Sequence, residues 1–362
     1  MDTNSQQSDN SYRGYVSAFL GLLGAVALVN TLGAAAFLWE PRHFYYRPWE
    51  YFYELGYRFA AYEPAWHQAQ SADLSRQNWF FYQGSHYTDV TTDADGYRSV
   101  PINAGTYPVL VSGDSLVFGS GLSDAETMPW RLAERLDMPV FNGGRSSLFN
   151  TLKKTELEDA ELVIDVRGEP LIKGAVFADY GYTADEPYRP RVTNQFSRWE
   201  ALREVAPQRY LLTHIAGRML RRLGRDLMVL RAGARERCYM PYQLDERTLA
   251  SAADAIQSRS ERLRAMGKRY IFVGVPFEQT LYADHISDKQ RQYLTHLNDE
   301  LARRGVETIS LLPLFIEQRD REIFQRYDTH WSPLGVDLAV QAICEHLSRD
   351  TDMGLSCSAH AR

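Results

Sequence analysis

Between Arg13 and Glu40 the chain carries no charged side chain. Residues 14–39 read as one apolar helix, about 39 Å long at roughly 1.5 Å per residue, enough to cross the hydrocarbon core of a bilayer. Tyr15 and Trp39, near its two ends, suit the interfacial aromatic zone. Gly21, Gly24, Gly33 and the alanines at 34–36 are the small residues that let one such helix approach another. A cleaved signal peptide is the alternative, with small residues at 33–35. Against it, the apolar run continues through Phe37 and Trp39.

From about residue 107 the pattern changes to short apolar runs alternating with amphipathic stretches. Runs at 107–113, 138–144, 161–166, 268–275 and 306–313 predict strands. Helical spacing predicts helices over 127–137, 247–266, 287–304 and 334–348, the last entered by Ser332-Pro333. Apolar strands alternating with helices predict an α/β fold: a parallel five-stranded sheet covered on both faces, three layers in all, behind one transmembrane helix. The organisation read from this pattern is a tail (1–14), a span (15–39), an aromatic-rich juxtamembrane segment (40–90), the α/β domain (91–350) and a second tail (351–362).

Two stretches do not follow the rhythm. Eleven aromatic residues fall between Phe44 and Trp66 with partly helical spacing. They read either as a helix at the lipid headgroups or as packing against the domain. Residues 183–246 are too long for one crossover and hold seven arginines between Arg218 and Arg237 against Asp226 and Glu236. A helical lid, a membrane-facing or partner-facing surface and an ordinary solvated face all fit that pattern.

Composition narrows the function. With 40 basic and 46 acidic side chains, 362 residues carry a net charge of −6, which argues against a nucleic-acid partner. Cys238, Cys344 and Cys357 can close at most one disulfide, and none forms a CxxC pair. No ligand cluster suggests a metal, and no cofactor is expected. The N-terminal tail has two aspartates and one arginine, whereas Arg42, His43 and Arg47 follow the span beside Glu40 and Glu50. The positive-inside rule therefore leans away from a cytoplasmic tail.

The candidate chemistry sits at two strand exits. Gly113-Asp114-Ser115 follows the first strand, where a serine before a helix stands exposed with backbone N–H groups at hand. Asp328-Thr329-His330-Trp331 precedes the last helix. There His330 can take the serine proton, and Asp328 can orient and stabilise the charged ring. His214, His296 and His346 fall in helical stretches; Asp284-His285 is a weaker rival.

These blocks resemble the SGNH/GDSL hydrolase superfamily. They resemble more closely its branch of SGNH-like O-acetyltransferases of exopolysaccharide export, such as the alginate acetylation proteins. The resemblance is carried by VSGDSLVFGSGLSDAETMPWRLAERL (111–136), the lead-in TDADGYR (92–98), VFNGG (140–144), VGVPFEQTLY (273–282) and YDTHWSPLG (327–335). It implies Ser115 as nucleophile, His330 as base and Asp328 as its partner. It also implies an oxyanion hole from the Ser115 and Gly144 N–H groups.

The third block departs from the family's Asn-Asp pair and reads VIDVRGEPL, with Arg167 and Glu169. Arg167 is then a candidate oxyanion donor or acidic-sugar contact, and Asn142 and Asn150 are other candidate donors. Trp331, Phe277 and Tyr282 are candidates to stack on a sugar ring. The leading functional expectation is a membrane-anchored O-acyltransferase, O-acetyl in kind, on an exported polysaccharide or envelope glycan. A plain esterase or deacetylase and a non-catalytic scaffold of an export complex remain open. The expected partners are a glycan acceptor, an acyl donor, the lipid bilayer and other proteins of an export or acetylation complex. The expected location is the bacterial inner membrane, single-pass, with the catalytic domain in the periplasm.

Overall fold

Strands whose residues are apolar at every position bury both faces, and that is what a sheet sandwiched between helices requires. The computed structural model describes residues 3–39, 67–71, 87–172, 187–188, 245–282, 287–325, 330–349 and 357. In chain order, helix α1 (Thr3–Trp39) is followed by strands β1 (His67–Ser71), β2 (Tyr87–Thr91) and β3 (Val109–Gly113). Next come α2 (Ser115–Phe118), α3 (Met128–Leu136), β4 (Val140–Gly144), α4 (Leu148–Thr151) and β5 (Leu162–Gly168). Then follow α5 (Glu246–Ala265), β6 (Arg269–Val275), α6 (Glu278–Tyr282), α7 (Asp288–Arg291), α8 (Tyr293–Arg303), β7 (Glu307–Ser310), α9 (Leu312–Glu317) and α10 (Pro333–Ser348).

The five-stranded sheet is parallel throughout and ordered β4-β3-β5-β6-β7, the expected architecture. Every residue of β3, β4 and β5 is buried. The chain steps from β3 one way to β4 and then the other way through β5, β6 and β7. Right-handed crossovers therefore set α3 on one face and α5 and α8 on the other. In keeping with this, α10 packs on α3, and α5 packs on α8. The step changes direction between β3 and β5, which makes the carboxyl end of that pair the place for a ligand crevice.

Helix α1 falls in a different compact unit from the sheet, so each is described by itself. Residues 14–36 form a helix long and apolar enough to cross a membrane, and none of it is buried.

Three elements differ from the expectation. The strand predicted over 306–313 stops at Ser310, and Leu312–Glu317 is helical. Pro313 explains this: it cannot donate to a ladder but suits the first turn of a helix. The helix predicted over 287–304 is broken at Gln292 into α7 and α8. Inside the aromatic-rich segment, β1 and β2 pair antiparallel from His67↔Thr91 to Ser71↔Tyr87. Thr88 and Val90 are buried while Asp89 is exposed, the two-residue period of a half-buried strand. The aromatic run at 44–66 and nearly all of 183–246 lie outside the described residues.

One disulfide, Cys344–Cys357, ties α10 to the C-terminal segment with Cα atoms 5.5 Å apart. Cys238 lies outside the described residues.

Candidate active site

The turn after β3 is built around Asp114. Its Oδ1 accepts the Leu116 N–H at 2.8 Å and so caps α2. Its Oδ2 accepts the Gly168 N–H at 2.9 Å, lacing the ends of β3 and β5 together where the sheet order reverses. Alongside, Gly144 ends β4, and any side chain there would overlap the Phe118 backbone nitrogen. Glycine at that position lets α2 lie against the sheet. Ser115 is thereby the first residue of α2, half-buried, with no partner for its N–H among the described residues.

The histidine comes from the other end of the chain. His330 is buried, 6% exposed, and its Nε2 lies 2.8 Å from Ser115 Oγ. Its segment is a small hairpin closed by a bridge between Phe324 and Trp331. The Gln325 N–H donates to the His330 carbonyl at 2.8 Å, and the Ser332 N–H to the Ile323 carbonyl at 2.8 Å. Ser332 then caps α10 through the Gly335 N–H. Helix α9 stands between β7 and this hairpin, so His330 is not at a direct strand exit as the sequence suggested. Asp328, and the rival pair Asp284-His285, lie outside the described residues.

The lead-in block supports the serine turn. Arg98 is 2% exposed. Its Nε donates to Asp124 Oδ1 at 2.7 Å, and its terminal nitrogens donate to the carbonyls of Gly119 at 2.8 Å and Leu122 at 2.5 Å. Charge-assisted bonds of this kind hold a loop far more firmly than apolar packing alone.

The remaining sequence-derived residues divide sharply. The Gly144 N–H donates to Asn142 Oδ1 at 3.0 Å, so this expected oxyanion donor is already engaged. Asn142 Nδ2 is buried with no partner among the described residues. Asn150 is buried in α4, its N–H 3.4 Å from Ser147 Oγ. Trp331 is fully buried in the core and cannot stack on a ligand, a correction to the expectation. Phe277 is also buried. Tyr282 is half-buried at the end of α6, its hydroxyl 3.4 Å from the Arg321 carbonyl.

Arg167 sits at the end of β5 in a charged network. Its Nε donates to Asp165 Oδ1 at 2.8 Å, while Arg259 from α5 and the Tyr270 hydroxyl reach Asp165 Oδ2 at 2.7 and 3.0 Å. Burial pushes the Asp165 carboxyl up, but the Arg167 and Arg259 guanidiniums outweigh it and hold the pKa below the usual carboxylate range. Burial, with the Asp165 charge behind it, drives the Tyr270 phenol well above its ordinary value.

Glu169, fully buried, accepts the Phe277 N–H at 3.0 Å and the Thr280 hydroxyl at 2.6 Å through one oxygen. The altered third block is thus a strut between the exits of β5 and β6. Arg98, Asp114, Arg259 and Gln325 were not singled out from the sequence as supporting residues. For Arg98 and Asp114 the signal was present in the quoted blocks. Asp165 lies 94 residues from Arg259, and Ser120 lies 205 residues from Gln325, separations over which no local pattern points.

A serine hydroxyl in hydrogen-bond contact with an imidazole can be deprotonated for attack on a carbonyl. Comparison with known proteins meets this geometry. Residues 217–359, under half of the chain, match the family described as the SGNH hydrolase-like domain of acetyltransferase AlgX. That range holds His330 but not Ser115. A Pseudomonas syringae pv. tomato protein described as a probable alginate O-acetylase, AlgJ, is 30% identical over 94 residues, spanning 24% of this chain and 24% of that protein.

Among solved structures, a lipase/acylhydrolase from Enterococcus faecalis is 11% identical, covering 67% of this chain and 96% of that one, with a TM-score of 0.36. An acetylxylan esterase, Axe2, from Geobacillus stearothermophilus is 13% identical, covering 66% and 93%, with a TM-score of 0.34. At scores of this size the two structures add nothing to the fold already described. The family match over residues 217–359 and the alginate O-acetylase relative support a place in the SGNH superfamily near the alginate O-acetylases.

Proposed function

We propose that this protein is a membrane-anchored serine O-acyltransferase that moves an acyl group, acetyl in kind, onto a hydroxyl of an exported polysaccharide or envelope glycan. The observation that carries the proposal is the 2.8 Å contact between His330 Nε2 and Ser115 Oγ, at the end of β3 beside the reversal of strand order. The match to an acetyltransferase-type SGNH domain supports the choice of acyl transfer.

In the proposed cycle His330 Nε2 takes the Ser115 hydroxyl proton as Oγ attacks the donor's acyl carbonyl. The carbonyl oxygen becomes an oxyanion facing the Ser115 N–H. Collapse breaks the bond to the donor's leaving group, which departs with the proton from His330 and leaves an acyl-Ser115 ester. A glycan hydroxyl then gives its proton to His330, attacks the ester and leaves as the acylated glycan, restoring Ser115. Asp328 is the proposed partner of the imidazole, the Asn142 amide a further oxyanion donor, and Arg167 a contact for an acidic sugar.

The sidedness has a physical support beyond family likeness. A disulfide such as Cys344–Cys357 persists in an oxidising compartment, which the periplasm is and the cytosol is not. With α1 as the anchor, the sheet domain would face the periplasm. Proteolysis of spheroplasts should digest residues beyond 41 while a cytoplasmic control survives; protection of both overturns this placement.

The activity is tested with the purified full chain, a chromogenic acetyl ester and candidate glycans. Acyl transfer to a glycan should exceed hydrolysis, and Ser115→Ala should abolish both. Hydrolysis unaffected by any glycan overturns the transferase reading, and full activity in Ser115→Ala overturns the site.

A further inference from the structure

The nucleophile and its base lie 215 residues apart in the chain, yet one side chain joins their backbones. Gln325 Nε2 donates to the Ser120 carbonyl at 3.2 Å and to the Trp331 carbonyl at 3.1 Å. Two carbonyl acceptors on one nitrogen settle which end of the amide is which. Ser120 in turn donates its N–H to the Ser115 carbonyl at 3.0 Å, and the Gln325 N–H donates to the His330 carbonyl at 2.8 Å. A continuous chain of hydrogen bonds thus runs from the Ser115 backbone to the His330 backbone through Gln325.

The seat for this side chain is built. Gly121 lies beneath it, and a Cβ at that position would come within 2.5 Å of the Gln325 Oε1 and 2.9 Å of its Cδ. The Oε1 itself is buried with no partner among the described residues, so one half of the amide is desolvated for the sake of the other. A buried acceptor without a partner is a cost that an apolar side chain of equal size would not carry. What the amide provides in return is the tie between the serine turn and the histidine hairpin.

We infer that Gln325 is a positioning residue that sets the Ser115–His330 distance by clamping the carbonyls of Ser120 and Trp331. This rests on the serine-acylation reading above. A displacement of about 1 Å between reacting groups costs on the order of a hundredfold in rate. Loss of one of several ties between the two segments should therefore act on the chemical step and not on substrate capture.

The test compares Gln325→Met, which keeps length but removes both donors, and Gln325→Glu, which keeps shape but turns the donor into an acceptor. Gln325→Asn keeps the amide and withdraws it by one methylene. Each is made in the full chain and assayed for acetyl-ester turnover and for labelling of Ser115 by a fluorophosphonate, with thermal unfolding monitored beside. Met and Glu should lower kcat and the labelling rate about tenfold or more with KM within about twofold, and Asn should fall between them and wild type.

Should Met and Glu fail to fold, Asn alone carries the test, and a wild-type labelling rate there overturns the inference. Folded Met and Glu variants that label as fast as wild type, or that raise KM alone, overturn it as well. A wild type that Ser115→Ala matches in labelling overturns the serine-acylation reading first, and this inference with it.

Discussion

Asp114 shows how much one carboxylate can organise. One oxygen caps the helix that begins at the serine, and the other holds the neighbouring strand end. Asp114→Ala removes an N-cap and strands the buried Gly168 N–H, so urea denaturation should find a loss of about 2 kcal/mol. Ester turnover should fall with it, because Ser115 is the very next residue. Asp165 gives a second prediction at this scale. Asp165→Asn removes the buried carboxylate charge that Arg167 and Arg259 share and should cost about 3–5 kcal/mol at pH 7. Its folded pKa is depressed, so its stabilisation is present above the ordinary value of 3.8 and is lost as pH falls through the lower folded value. Denaturation at several pH values should show a constant gap between wild type and variant from pH 7 to 5, narrowing below about 4.

Among the elements, α10 matters most to the site because it starts three residues after His330. Gly335, in its first turn, has no room for a methyl: a Cβ there would lie 2.9 Å from the Trp331 Cβ and closer still to the Ile323 carbonyl. Helix propensity alone would favour Gly335→Ala by about 1 kcal/mol. Overpacking typically costs about 1–3 kcal/mol and should win here, lowering the unfolding midpoint and displacing the hairpin that holds His330. Elements were legible where the chain repeats one physical signal. The strands at 109–113 and 269–275 were plain because both faces are buried and nearly every residue is apolar. The helix at 312–317 was hidden because Leu311, Leu312 and Leu314 continue an apolar run, and only Pro313 marks the change. Strand β1, HQAQS, has no apolar period at all and exists through its pairing with β2. The meeting of Ser115 and His330 was legible because each is marked by its own local block. The burial of Trp331 was not, since a tryptophan beside a site histidine reads equally well as a ring for a ligand or a wedge for the core.

For the molecule as a whole, the disulfide and α1 make separate predictions. A maleimide of high mass should modify one cysteine in the unreduced, denatured chain and three after reduction, since Cys344 and Cys357 are joined. Three before reduction would exclude the bond. Removal of residues 1–39 should move the protein from the membrane fraction to the soluble fraction, as expected of the exposed apolar stretch at 14–36.

The order of the chain also imposes a timetable. Ser115 is made 215 residues before the histidine that contacts it, and at about 5–20 residues per second that is an interval of roughly 10–40 s. Throughout that interval the nascent chain carries Ser115 without His330 to contact it. An unfinished or prematurely released chain therefore lacks the Ser115–His330 contact on which the proposed chemistry depends.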